Sequence, residues 1–318
     1  MFFVNKSDLD KRVRLMRARL HEVGVSDDLR GWSWDRSPVG PPYGDILISV
    51  SELAGRYCET LRDIYLRRVL RVHVPFNIKL FDGFVLHRVA SETLTLVKRT
   101  LYSEGLISGA DLIEELLHKA EEVCENAIGS GLRLGRPSDE ELQISLKKAV
   151  RLYRFLVVQA GSQLDMILSK FPHAELDSVI SQAVPPIAER RVDGSLVGLS
   201  RELSVDIYMP AYAIIDLKTG EMRSFHKYAL AGYALALEAD EEIEVNYGFI
   251  VYLRVKPDKP HIGVRIKSVL IGDEVRKEFL DIRDEALRIV DAGLDPGMPT
   301  RCPSYCPFRP ICHGGEEL

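Results

Sequence analysis

Asp206, Asp216 and Lys218 are the side chains whose types and spacing most directly suggest chemistry. They stand in LSVDIYMPAYAIIDLKTG, Leu203 to Gly220, where alternating apolar and polar residues predict two short strands with Met209-Pro210 at the turn. Side chains alternate faces along a strand, so Asp216 and Lys218 point one way and Leu217 the other, into the core. Antiparallel pairing of the two strands brings the Asp206 carboxylate near Asp216. Two carboxylates on a rigid sheet repel unless a cation sits between them, and hard oxygen ligands suit Mg²⁺ or Mn²⁺. A divalent ion polarises a phosphodiester and makes a water more acidic, and a neighbouring lysine positions that water or stabilises developing charge. An isolated Asp-x-Lys at a strand end is more often a solvated ion pair, so the tripeptide gains weight only from its company.

A second chemical group occupies RCPSYCPFRPICHGG near the end of the chain, with Cys302, Cys306 and Cys312. A thiolate metal site wants a fourth ligand, from Cys58, Cys124 or a residue of another type. Cys124 shares an apolar helical stripe with Ile113, Leu116, Leu117, Ala120, Ala127 and Ile128, where a free cysteine serves as a small buried hydrophobe. Cys58, in GRYCETLRD, has charged and polar neighbours and no such stripe, which makes it the better ligand. The tail would then be stapled to a segment near the N-terminus. Tetrahedral thiolates suit structural zinc, and four cysteines also hold iron-sulfur clusters.

The elements that must position these groups follow from periodicity. Residues 1–80 form an N-terminal region: a basic helical opening, KRVRLMRARL, a Gly/Pro-rich loop, RGWSWDRSPVGPPYGD, and a helix through SVSELAGRYCETLRDIYLRRVL. Residues 81–180 read as helical, in FVLHRVASETLTLVKRTLYSEG, ADLIEELLHKAEEVCENAIGSG and a long stretch after Pro137-Ser138. From 181 to 295 the period shortens toward two, with strands in RRVDGSLVGL, LSVDIYM and AYAIIDLK. A helix in HKYALAGYALALEAD, strands in VNYGFIVYLRV and IGVRIKSVLI, and a helix from about Asp273 to Ala292 complete an α/β core with a mixed sheet. Residues 296–318 are the cysteine tail.

Composition bounds the function. The chain has 318 residues, 46% of them hydrophobic, a net charge of -5 and five cysteines. No apolar run approaches the roughly 20 residues of a membrane span, and the opening lacks the features of a secretory signal, so the expectation is a cytoplasmic protein with no membrane partner. In that reducing compartment clustered cysteines read as metal or redox groups. The net charge argues against a wholly basic surface and leaves room for a local basic patch. The arginines of ETLRDIYLRRVLRVHV, beside Cys58, could follow a phosphate backbone or simply form a solvated helix face.

Asp206, a ten-residue interval and Asp216-x-Lys218 resemble the PD-(D/E)xK nuclease signature. Upstream, Gly83-Phe84-Val85-Leu86-His87 looks like the G-x-x-x-H helix motif of its RecB-like branch. Downstream, Gly232-Tyr233-Ala234-Leu235-Ala236-Leu237-Glu238 is similar to that branch's tyrosine-bearing helix. One distant cysteine with a C-x3-C-x5-C tail looks like the iron-sulfur arrangement of RecB-like nucleases. Together these features resemble the CRISPR-associated Cas-four family, and SVSELAGRYC with YLRRV looks like its archaeal Csa-one branch.

The resemblance implies a RecB-like PD-(D/E)xK core with a helical insertion, and a cysteine-ligated cluster, usually 4Fe-4S, joining the two ends. It implies a Mg²⁺- or Mn²⁺-dependent DNA exonuclease that trims fragments for spacer acquisition beside other CRISPR adaptation proteins. The alternative is a weakly active or inactive subunit that holds DNA or partners. By the same resemblance, His87, Asp206, Asp216 and the Leu217 carbonyl ligate the catalytic metal. Lys218 acts near the attacking water, Tyr233 orients the site, and Cys58, Cys302, Cys306 and Cys312 hold the cluster. A lone histidine on an apolar helix is more often a core residue, and only its place in the motif order raises His87 above that. Glu189 is a lesser candidate, more simply a satisfied surface carboxylate. The pattern commonly carries a glutamine four residues before the tyrosine; here that residue is Ala229. His226, expected on the same helical face as Ala229 and Tyr233, is a candidate substitute or merely the residue that opens the helix.

Overall fold

Ser49, Ser108 and Ser138 each begin a helix by the same device. The serine side chain accepts the N–H of the residue three positions on, and the acid at that position reaches back to the serine N–H. The computed structural model describes residues 6–73, 76–184, 187–209, 213–259 and 261–314. Its helices before the sheet are α1 (Lys6–Val23), α2 (Val50–Gly55), α3 (Arg62–Ile64), α4 (Ile78–Glu104), α5 (Gly109–Leu117), α6 (Ala120–Gly131), α7 (Asp139–Lys170) and α8 (Leu176–Ala183). Strands β1 (Ile187–Val192), β2 (Leu203–Met209) and β3 (Ala213–Lys218) follow, then α9 (Lys227–Glu241), β4 (Tyr247–Arg254), β5 (Gly263–Leu270), α10 (Asp273–Ala292) and α11 (Arg309–Cys312).

The five strands form one mixed sheet in the order β1-β2-β3-β4-β5. Every neighbouring pair is antiparallel except β3 and β4, which run parallel because α9 carries the chain across between them. Alternation along the central strands separates two cores. Ile215, Leu217, Phe249 and Val251 face one, with the buried stripes of α4, α6 and α7. Ile214, Ile250 and Tyr252 face the other, with α2, α9 and α10. Where α5 meets α7, a Cβ on Gly109 would lie 2.1 Å from the Gly161 carbonyl oxygen, so only glycine allows that contact. Among the described residues no helix is long and apolar enough to cross a membrane.

Three local expectations change. The helix predicted through SVSELAGRYCETLRDIYLRRVL stops at Gly55, where Arg56 takes a left-handed conformation (φ 42°), and Cys58 lies in the following loop. ADLIEELLHKAEEVCENAIGSG is two helices, α5 and α6, because the chain turns at His118 and Lys119. RRVDGSLVGL supplies one strand only, since Ser195–Val197 forms a single helical turn. The turn expected at Met209-Pro210 falls on residues 210–212, which lie outside the described residues.

Behind the sheet, Glu238 of α9 is fully buried and binds two buried arginines. It accepts from Arg276 Nη1 and Nη2 at 2.7 and 2.8 Å, Arg30 Nη1 at 2.8 Å, the Gly31 N–H at 2.9 Å and the Val245 N–H at 3.1 Å. A Cβ on Gly31 would come within 2.0 Å of the Leu235 carbonyl oxygen, so the loop reaches Glu238 only as glycine. This cluster ties the N-terminal loop and α10 to the helix that carries Tyr233.

Candidate active site

β2 and β3 pair as far as Ile207 opposite Ile215, and the next position places Asp206 opposite Asp216. There the ladder gives way to side chains: Asp206 Oδ2 accepts the Leu217 N–H at 2.6 Å. Lys218, two residues beyond Asp216 on the same face, donates from Nζ to Asp216 Oδ1 at 2.7 Å. Asp216 Oδ2 is buried and has no hydrogen-bond partner. His87 reaches over from α4, with Nδ1 3.5 Å from Asp206 Oδ1. Two acids and two bases thus converge at one end of the sheet.

Burial and mutual charge set the protonation of this group. Burial is the largest influence on both acids. For Asp206 it is outweighed by His87, with help from Lys218 and the Leu217 N–H, and the acid is held below its ordinary range. For Asp216, burial joined by repulsion from Asp206 exceeds the opposing pull of Lys218, and its pKa rises. Burial opposes charge on His87 and Lys218 too, but the carboxylates overcome it and raise both. Opposite shifts on neighbouring carboxylates are what a site needs if one acid is to stay ionised beside another that resists charge.

Tyr233 and Glu189 approach the same acids. Tyr233 projects from α9, and its pKa is raised well above the usual value by burial, with Asp206, Asp216 and Glu189 contributing. Glu189 is half-buried, has φ 53° and accepts from Ser204 Oγ at 2.6 Å, so it is a satisfied carboxylate. His226 lies in the helical turn before α9, with Nδ1 3.0 Å from Tyr252 Oη. Ala229 is 3% exposed inside the second core, against which Tyr233, four residues further along α9, also packs, while His226 precedes the regular helix. Sequence reasoning missed Tyr252, which the parallel register sets opposite Lys218; no local signal in VNYGFIVYLRV reports that pairing.

The loop carrying Cys58 meets the tail that carries Cys302, Cys306 and Cys312. Cys58 is buried and 3.3 Å from Thr60 Oγ1, and Thr60 donates to the Gly297 carbonyl at 2.7 Å. Arg62 donates to Cys312 Sγ at 3.3 Å and forks onto Asp295. The Cys306 thiol is pushed up to about 11, first by burial and then partly by Cys58 and Cys312; Cys312 is raised by burial and by Cys302 and Cys58. Cys124 is fully buried in the other core, against the helical stripe. Among the described residues, no three His, Cys, Asp or Glu side chains are drawn together tightly enough to hold a metal ion as they stand. In the active site, Lys218, His87 and the Leu217 N–H occupy carboxylate oxygens that a cation would use.

A family model described as CRISPR-associated exonuclease Csa1 matches residues 1–316. The chain belongs to that family. It is 34% identical over 98% of its length to the whole of a protein named CRISPR-associated exonuclease Csa1 from Saccharolobus solfataricus. It is 30% identical over 94% of its length to 96% of a protein of the same name from Thermoproteus tenax. A solved chain from Eubacterium rectale overlaps 67% of this chain and 76% of its own, at 15% identity and a TM-score of 0.35, too low to speak for the fold.

Proposed function

We propose that this protein is a metal-dependent deoxyribonuclease of the PD-(D/E)xK class that shortens DNA from its ends, trimming fragments for CRISPR spacer acquisition beside other adaptation proteins. The observation that carries this reading is the facing pair Asp206 and buried Asp216, with Lys218 on one oxygen of Asp216 and the other oxygen unpartnered. A buried acceptor without a donor is costly, and a cation would satisfy it. Asp206, Asp216 and His87, with the Leu217 carbonyl, would hold Mg²⁺ or Mn²⁺. Bound there, the ion supplies a Lewis acid that polarises the phosphodiester and acidifies water. Lys218 then stabilises the charge that develops as water adds to phosphorus and the P–O bond breaks. Tyr233 limits how the acids can move, because α9 is anchored through Glu238.

Cys58, Cys302, Cys306 and Cys312 would hold an iron-sulfur cluster of the 4Fe-4S type. The donor set suits such a cluster, since three soft sulfurs stand in the tail that Thr60 and Arg62 tie to the loop carrying Cys58. Its role is structural. The nuclease reading is tested by shortening of end-labelled DNA in Mn²⁺ or Mg²⁺ and its absence in chelator, with Asp216→Ala inactive. Binding without cleavage would favour a subunit that only holds DNA.

A further inference from the structure

An open cleft of about 510 Å³ is walled by Arg56, Tyr57 and Glu59 from the turn after α2, by Phe225 before α9, and by Arg301 and Tyr305 from the tail. Cys302 is the one cluster cysteine on its wall, so the cleft is distinct from the space among the four thiols. Its chemistry is aromatic and basic. The Phe225 and Tyr305 rings lie 6.4 Å apart and tilted by 38°, and the Arg223 guanidinium sits 4.4 Å over Tyr305. Three arginines surround these rings; Arg223 is paired with Glu221, and Glu59 is the acid on the cleft wall itself.

Packed side chains link the wall of the cleft to the candidate active site. The Phe225 ring packs edge-on against His226 at 5.1 Å, and His226 meets Tyr252, the partner of Lys218 in the sheet. Tyr57, also on the cleft wall, lies close enough to Lys218 for that charge to act on its phenol. Phe225 on the cleft wall is thus two contacts away from the strand position opposite Lys218.

We propose that this cleft is a stacking track for single-stranded DNA, taking bases on Tyr305 and Phe225 and phosphates on Arg56 and Arg301 beside the cleavage centre. Single strands offer base faces to rings and phosphates to arginines, whereas bases in a duplex are already stacked. This rests on the nuclease reading for its biological sense, but binding can be measured without cleavage. Charge alone would attract any polyanion; the paired rings select one with accessible bases.

The test is fluorescence anisotropy of the full-length protein in EDTA, with labelled oligothymidine of about 15 nucleotides and an abasic strand of equal length. Tyr305→Ala and Phe225→Ala should each weaken oligothymidine about tenfold and leave the abasic strand unchanged, while Tyr305→Phe retains binding. Arg301→Ala should weaken both strands and flatten the salt dependence. Unchanged oligothymidine binding in the alanine variants overturns the track, as does equal loss for both strands. Intact Mn²⁺-dependent cleavage with either result removes only the track; absent cleavage with the expected binding pattern removes only the nuclease reading.

Discussion

Lys218 Nζ lies 2.7 Å from Asp216 Oδ1, while Oδ2 of the same carboxylate is buried without a partner. Half of this acid is neutralised by the protein and half is left for something else. Asp216→Asn keeps the volume and removes the charge, so cleavage should fall by at least ~10²-fold, and Lys218→Ala should cost a similar factor. DNA binding in chelator should change little for Lys218→Ala. Single-turnover rates on end-labelled DNA check both, and a Lys218→Ala enzyme of normal rate would remove the lysine from the chemistry.

The cysteine junction predicts a coloured protein. Anaerobic preparations should be brown and contain iron and acid-labile sulfide. Cys58→Ser should bleach the protein and lower its thermal midpoint, because the link between the two ends is lost. Cys124→Ser should keep the colour, since Cys124 lies in the opposite core. Stoichiometric zinc without sulfide would refute the cluster.

Glu238 offers a stability test far from the chemistry. Its two arginine partners, Arg276 and Arg30, are 0% and 5% exposed, so Glu238→Ala leaves buried cations without their counter-charge. The expected loss is about 3–5 kcal/mol in urea unfolding. A loss under about 1 kcal/mol would mean that water replaces the carboxylate.

His226 gives a pH signature. Burial, then Lys218, Arg223 and Lys267, push its pKa from the ordinary 6.5 down to about 4. The folded protein therefore binds the proton less tightly than the unfolded chain. The associated stability is complete above pH about 6.5 and is lost as the pH falls toward 4. The stability difference between wild type and His226→Gln should shift against wild type across that window, as read by denaturation at several pH values. A neutral imidazole at pH 7 also means that charge pairing with phosphate is not its role: His226→Gln should cleave at near wild-type rate, and a tenfold loss would restore it as a DNA contact. Ala229→Gln is no clean complement, because the new amide would enter the packed core.

The alternation of IIDLK, with Asp216 and Lys218 on one face and Leu217 on the other, was legible in the sequence because strand periodicity is local. So was the burial of Cys124 among apolar residues at helical spacing. Tertiary structure alone decided the rest. Parallel pairing of β3 with β4 sets Tyr252 beside Lys218, packing of α9 turns Ala229 inward, and Arg56 ends α2 so that Cys58 enters a loop. The meeting of His87 with Asp206 and of Glu238 with Arg276 joins residues far apart in the chain. Local pattern states which face a side chain takes on its own element; which neighbour that face meets depends on how the two cores pack against the sheet, and no short segment contains that information.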